Sequence, residues 1–240
     1  MWTPLLDALD LEEHAYETPA LPGFDGPIPE GFTCTKDAYA DWLIRRVETI
    51  VERIGGPVHL VGHDWGAILS LRIASLRPDL FRTWAVSNAL PDPDYVWHTM
   101  AQRWQTPIIG ELIMALSKPT ALANSLEEQG VQTDIARHEA GAFRKPLRPS
   151  IQKLYRSAVD VGEEWRGDLD NLPDQGLVFW GETDPYVPLS LAERVCATRD
   201  VPLHVEYGAG HWAVVERAEQ FAKVLKAHWA NTEPTALPSI

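Results

Sequence analysis

The stretch Val58-His59-Leu60-Val61-Gly62-His63-Asp64-Trp65-Gly66-Ala67 fixes the reading of everything around it. Val58 to Val61 is a short apolar, partly β-branched run between Pro57 and Gly62, the pattern of a buried strand in a parallel sheet. A helix follows without delay, over Ala67 to Arg77, and stops at Pro78. Between strand and helix lies a small-x-acid-x-small turn, so tight that side chains at Gly62 and Gly66 are expected to clash. The apex of such a turn projects its side chain over the C-terminal edge of the sheet, and here the apex is Asp64. The N-terminus of the following helix aims free backbone donors at the same place, which favours an anion there. Aspartate also serves as a helix N-cap, but a cap has no need of paired glycines.

Working outward, Leu5 to Leu11 reads as the end of a helix and His14 to Leu21 as a short strand entering the turn-rich Pro22-Gly23-Phe24-Asp25-Gly26-Pro27. Asp37 to Ile54 has helical spacing, with Tyr39, Leu43, Val47, Ile50, Val51 and Ile54 on one face, and ends at Gly55-Gly56-Pro57. A strand over Thr83 to Ser87 continues the strand–helix alternation of a parallel sheet with helices on its faces. From Pro91 to about Trp165 the chain turns to tryptophans, prolines and helical segments, as expected of an inserted helical lid. Strands then resume at Leu177 to Trp180 and Leu203 to Tyr207, with a helix over Ser190 to Ala197 between them and another over Glu216 to Trp229 after them. The tail from Asn231 is expected to fray. The division is therefore one α/β domain: residues 1–90 as the first part of the core, 91–165 as the lid and 166–240 as the second part of the core.

A chain of 240 residues, 45% hydrophobic and 23% charged, is enough for one core with an insertion. Its net charge of -13 repels phosphate backbones and anionic membranes, which argues against nucleic-acid and membrane partners. The longest apolar run, Ile108 to Leu116, is too short to span a bilayer and is expected to be a buried helix. Met1-Trp2-Thr3-Pro4 has no secretory pattern, so a cytoplasmic location is the default expectation. Cys34 and Cys196 have no partner spacing and are expected to be reduced, and the eight histidines form no HExxH motif. Neither a metal nor another cofactor is expected.

Two downstream segments complete a pattern. In Phe179-Trp180-Gly181-Glu182-Thr183-Asp184-Pro185-Tyr186-Val187-Pro188 a strand ends and acids follow, and in Tyr207-Gly208-Ala209-Gly210-His211-Trp212 a later strand gives way to a histidine among small residues. The order acid apex, acid, histidine resembles the α/β-hydrolase fold superfamily from about Leu5 to Trp229. Gly62-His63-Asp64-Trp65-Gly66 in particular resembles the branch of epoxide hydrolases and haloalkane dehalogenases. That resemblance implies Asp64 as nucleophile, His211 as base, Asp184 as its orienting acid and the Trp65 backbone N–H as oxyanion or halide donor. Glu182 is the second choice for the acid, and His63 is a packing residue.

A carboxylate nucleophile suits attack on a saturated carbon, forming an ester that water must then hydrolyse, and it disfavours ordinary esters and amides. An epoxide leaves an alkoxide that needs a proton. Tyr155, in Leu154-Tyr155-Arg156-Ser157, resembles the Tyr-Arg segment that supplies it near the end of the lid in epoxide hydrolases, with Tyr95 as a second candidate. Epoxide hydrolysis is therefore the preferred expectation, with a small hydrophobic substrate. A haloalkane dehalogenase instead needs a second indole beside Trp65, for which Trp97 or Trp104 is available; fluoroacetate-type enzymes carry arginine at the place of Trp65. A third expectation is a hydrolase-like binding protein. The superfamily's early strand followed by His-Gly, which supplies a second oxyanion donor, has no counterpart before Trp2-Thr3-Pro4-Leu5-Leu6, so the N-terminal strands are expected to be absent and the sheet to lack a neighbour on that side. Oligomeric state leaves no mark on these motifs.

Overall fold

A computed structural model describes residues 1–143 and 146–232. Helices α1 (Thr3–Leu9) and α2 (Lys36–Ile54) precede strand β1 (Val58–His63), helix α3 (Trp65–Leu76) and strand β2 (Phe81–Ser87). Helices α4 (Thr99–Gln105), α5 (Ile109–Leu116), α6 (Pro119–Glu128), α7 (Thr133–Ala142), α8 (Leu147–Arg156) and α9 (Val161–Trp165) follow before the sheet resumes. Strand β3 (Gly176–Gly181), helix α10 (Leu189–Arg199), strand β4 (Leu203–Glu206) and helices α11 (Ala213–Glu216) and α12 (Ala218–Ala230) complete the described chain. Among the described residues the sheet has four strands in the order β1-β2-β3-β4, every neighbouring pair parallel. No helix among the described residues is long and apolar enough to cross a membrane.

β3 shows why a parallel strand reads as a continuous apolar run. All six of its residues are buried, because helices cover both faces. Val178 and Trp180 pack into the cluster containing Leu69 and Val86, while Leu177 and Phe179 pack into the cluster of α1 and α12, where the Phe179 and Phe221 rings stack at 4.3 Å. α2 begins where the Thr35 hydroxyl accepts from the Ala38 N–H at 3.3 Å and ends where Gly55, at φ 76°, takes the left-handed conformation. Tyr39 on its buried face donates to the Pro22 carbonyl at 2.7 Å and ties down the turn before it. The buried ammonium of Lys36 pairs with Glu164 at 2.6 Å, which fastens the start of α2 to α9.

Several expectations change. His14 to Leu21 is not a strand: Glu13–Ala15 is a 3-10 helix, and only an isolated bridge from Pro22 to Gly26 follows. An extended segment becomes a strand by pairing, and the sheet ends at β1, with no strand before it among the described residues. β1 is accordingly an edge strand, half-buried over Val58 to Val61 rather than fully covered. The run over Ile108 to Leu116 forms α5, but only Gly110 and Met114 of that helix are buried, and Ile108 and Leu116 stay 82% and 70% exposed. The last predicted helix, Glu216 to Trp229, is α12, with the short α11 before it, and β4 stops at Glu206 rather than Tyr207. Cys34 and Cys196 are both buried and free. Of the tail from Asn231, residues 233–240 lie outside the described residues.

Candidate active site

Three parallel strands deliver the polar residues of the site to one edge of the sheet, as the geometry of an open α/β sheet requires. β1 runs directly into Asp64, β2 into Asn88 and β3, after a short loop, into Asp184. Asp64 stands at φ 51° and ψ -126°, a conformation that side-chain-bearing residues rarely adopt. The turn closes because Gly62 has no side chain: a Cβ there would lie 2.5 Å from the Gly66 carbonyl and 2.6 Å from the Ser70 hydroxyl. Gly66 departs from expectation, since a Cβ would meet nothing within 4 Å. Only the first glycine of the pair is demanded by space.

His211 bridges two carboxylates. Its Nδ1 lies 2.8 Å from Asp184 Oδ2, and its Nε2 lies 3.6 Å from Asp64 Oδ1. The loops that carry Asp184 and His211 are pressed together: the Ala209 carbonyl accepts from both the N–H and the hydroxyl of Thr183 at 2.9 Å, and a Cβ on Gly181 would lie 2.0 Å from the Gly210 carbonyl. Asp184 is fully engaged. Its Oδ1 accepts from the Tyr186 and Val187 N–H groups, and its Oδ2 accepts from Asn88 Nδ2 at 2.8 Å as well as facing His211. The two acids differ in access, since the Asp184 side chain is wholly buried whereas 40% of the Asp64 side chain remains open.

Electrostatics follow this arrangement. Burial opposes charge on His211, but the Asp184 and Asp64 carboxylates outweigh it and push its pKa up to about 9. Burial likewise opposes charge on Asp64, yet the neighbouring imidazole and the Trp65 N–H keep its carboxyl below the usual range. Asp184 is held below its usual range in the same way, against burial, by His211 and Asn88. His63 is buried under the His211 ring, at 5.0 Å between centroids, and burial together with the His211 charge lowers its pKa to about 3. It is a neutral packing residue, not a competing base.

Residues between β2 and β3 build an aromatic wall on Trp65, the residue after Asp64. Trp65 stacks on Trp97 at 5.6 Å and meets the Tyr155 ring edge-on at 5.1 Å, and Tyr155 also touches Trp97 and Trp104. Burial, reinforced by the Asp64 charge, raises the pKa of Tyr155 well above the ordinary value, so its hydroxyl keeps its proton. Tyr95 packs on Trp97 but donates to the Tyr186 carbonyl at 3.2 Å. Among the described residues the buried indole N–H of Trp104 has no hydrogen-bond partner, whereas that of Trp65 is directed at the Tyr155 hydroxyl. Sequence reasoning missed Asn88, Tyr186 and His98. Tyr186 stands edge-on to His211 at 5.0 Å, with His98 against it at 4.9 Å. The rule that sites gather at strand ends points to Asn88, the first residue after β2; nothing in spacing points to the other two. Glu182, the alternative acid, accepts instead from the Gly208 N–H at 3.1 Å.

A profile of the alpha/beta hydrolase family matches residues 1–224. The chain belongs to that family. Among curated relatives of this alpha/beta hydrolase, epoxide hydrolase 3 of Xenopus tropicalis is 24% identical over 246 residues, which cover 91% of this chain and 65% of that protein. The 2-hydroxymuconate semialdehyde hydrolase of Pseudomonas putida is 24% identical over 180 residues, covering 72% of this chain and 63% of that one. Solved structures share the fold: an epoxide hydrolase from Vigna radiata superposes with TM-score 0.74 at 19% identity, over 96% of this chain and 86% of its own. A meta-cleavage product hydrolase from Pseudomonas fluorescens IP01 also reaches 0.74, at 20% identity over 96% and 84%. Membership supports a hydrolase, and relatives this distant leave the particular reaction to be argued from the site residues.

Proposed function

We propose that this alpha/beta hydrolase opens epoxides of small, uncharged hydrophobic molecules through an ester on Asp64, yielding vicinal diols, with the helices between β2 and β3 acting as a lid. The observation that carries the proposal is the open Asp64 carboxylate 3.6 Å from the His211 imidazole, with the buried, protonated Tyr155 edge-on to Trp65, the residue after Asp64, and within reach of the Asp64 charge. An Asp64 oxygen attacks a ring carbon, the C–O bond breaks, and the alkoxide takes the Tyr155 proton. Esterification removes the Asp64 charge, and with it one of the two attractions that keep His211 protonated, so the imidazolium gives up its proton, which returns through solvent to the Tyr155 phenolate. The imidazole, still oriented by Asp184, then takes a proton from water. The resulting hydroxide attacks the Asp64 carbonyl carbon, the Trp65 N–H stabilises the oxyanion, and collapse releases the diol and restores the carboxylate.

A second reading has its own support. The buried indole N–H of Trp104, unpartnered among the described residues, and that of Trp65, engaged only by the Tyr155 hydroxyl, suit a leaving halide, so haloalkane hydrolysis through the same ester is the alternative. One experiment separates them. His211→Gln protein is incubated with an epoxide panel and a haloalkane panel, and the intact mass is measured. The expected result is an adduct on Asp64 with epoxides and none with haloalkanes; adducts from haloalkanes alone transfer the assignment, and no adduct with either panel removes the ester mechanism.

A further inference from the structure

Contacts from two sides converge on Glu216, the last residue of α11. From the core side, the Gly210 N–H, one residue before His211, donates to Glu216 Oε1 at 3.0 Å. From the other side, Gly130 lies between α6 and α7 at φ +87°, and a Cβ there would sit 2.7 Å from both Cδ and Oε2 of Glu216. One carboxylate therefore fills the gap between the turn of the helical segment and the histidine loop. The same turn reaches that loop twice more. The Gln129 carbonyl faces Gly210, where a Cβ would come within 4.0 Å of it, and Trp212 packs into the cluster formed by Leu126, Val131 and Ala136.

We propose that Glu216 is a positioning residue that couples seating of the Gln129–Gly130 turn to the aim of the His211 imidazole. Gly130 supplies the only shape that lets the turn close on the carboxylate, because a positive φ and the missing Cβ are both required there. With the turn seated, Glu216 is confined on one side and holds Gly210 on the other; with the turn lifted, the carboxylate swings free and the loop loses a charge-assisted hydrogen bond. Glu216 acts through the backbone. The principal charges acting on His211 are those of Asp184 and Asp64. The consequence falls on the water-delivering half of the reaction, in which His211 is the base, and leaves attack by Asp64 untouched; in this respect the inference rests on the ester mechanism above.

The test compares Glu216→Gln, Glu216→Ala and Gly130→Ala by rapid-quench measurement of ester formation and ester hydrolysis, together with nitrogen NMR of the His211 ring and amide exchange at Gly210 in the full chain. Glu216→Ala is expected to slow ester hydrolysis about tenfold, the scale of one lost charge-assisted hydrogen bond, with ester formation unchanged. It should also displace the His211 titration from about 9 and speed exchange at Gly210. Glu216→Gln keeps an acceptor oxygen and the shape but not the charge, so it falls between wild type and Glu216→Ala, while Gly130→Ala reproduces the alanine variant. Wild-type hydrolysis, titration and exchange in Glu216→Ala overturn the proposal, as does equal damage in Glu216→Gln and Glu216→Ala. If the wild-type protein forms no ester, the epoxide reading fails, and the NMR comparison still decides whether Glu216 positions His211.

Discussion

The two sides of the cleft are built on opposite plans. On the sheet edge every oxygen of Asp184 is engaged, its loop is stitched to the His211 loop, and only Asp64 is left open. On the helical side Trp97, Trp104 and Tyr155 pack ring on ring and against Trp65, and the indole N–H of Trp104 finds no partner among the described residues. A network with its hydrogen bonds complete is preorganised and indifferent to what enters, whereas buried donors left unsatisfied cost free energy until something supplies an acceptor. The sheet edge is therefore suited to making and breaking an ester, and the aromatic wall to choosing the molecule and handling its leaving group.

Substitutions on each side sharpen this contrast. Asp64→Asn is expected to have the largest effect, a loss of turnover of about 10⁴-fold or more, because an amide forms no ester. The same change removes an anion that favours the imidazolium, so an NMR titration should find the His211 pKa below its value of about 9. An unchanged titration would mean that the two groups do not act on each other across the 3.6 Å gap. Tyr155→Phe, on the aromatic wall, should slow ring opening about a hundredfold, the usual scale of a lost general acid, while hydrolysis of a preformed ester continues at its normal rate. If both steps slow together, Tyr155 belongs to the sheet-edge machinery and the contrast breaks. Asn88→Ala should have the smallest effect, about a tenfold fall in ester hydrolysis, because Asp184 loses one of its hydrogen bonds and keeps the others. Steady-state and single-turnover rates measured side by side separate these outcomes.

What was legible in the sequence follows the same divide. Asp64, Asp184 and His211 stand at strand ends, where local pattern fixes direction, so their meeting could be anticipated from a strand–turn–helix signature and two strand–loop transitions. Tyr155 was legible only through the neighbouring arginine of a familiar pair, and its contacts with Trp65, Trp97 and Trp104 depend on how α4 and α8 pack, which no periodicity encodes. Asn88 was hidden because an asparagine after a strand is common in turns. The extended reading of His14 to Leu21 failed for a non-local reason, the lack of a neighbouring strand to pair with. Apolar content alone also misjudged α5, since composition says that a helix has a greasy face but not whether anything covers it.

The backbone at Asp64 has one more implication. Its angles of φ 51° and ψ -126° are costly for an aspartate, by about 1–3 kcal/mol, and are tolerated only because β1, α3 and the close packing that the missing side chain of Gly62 permits hold them from both ends. In the unfolded chain the same residue would relax to commonplace geometry and be one acid among many. Its distinctiveness is thus a property of the whole architecture, kept under tension like a drawn bow, and slight loosening around the bend would blunt the carboxylate long before the helices melted.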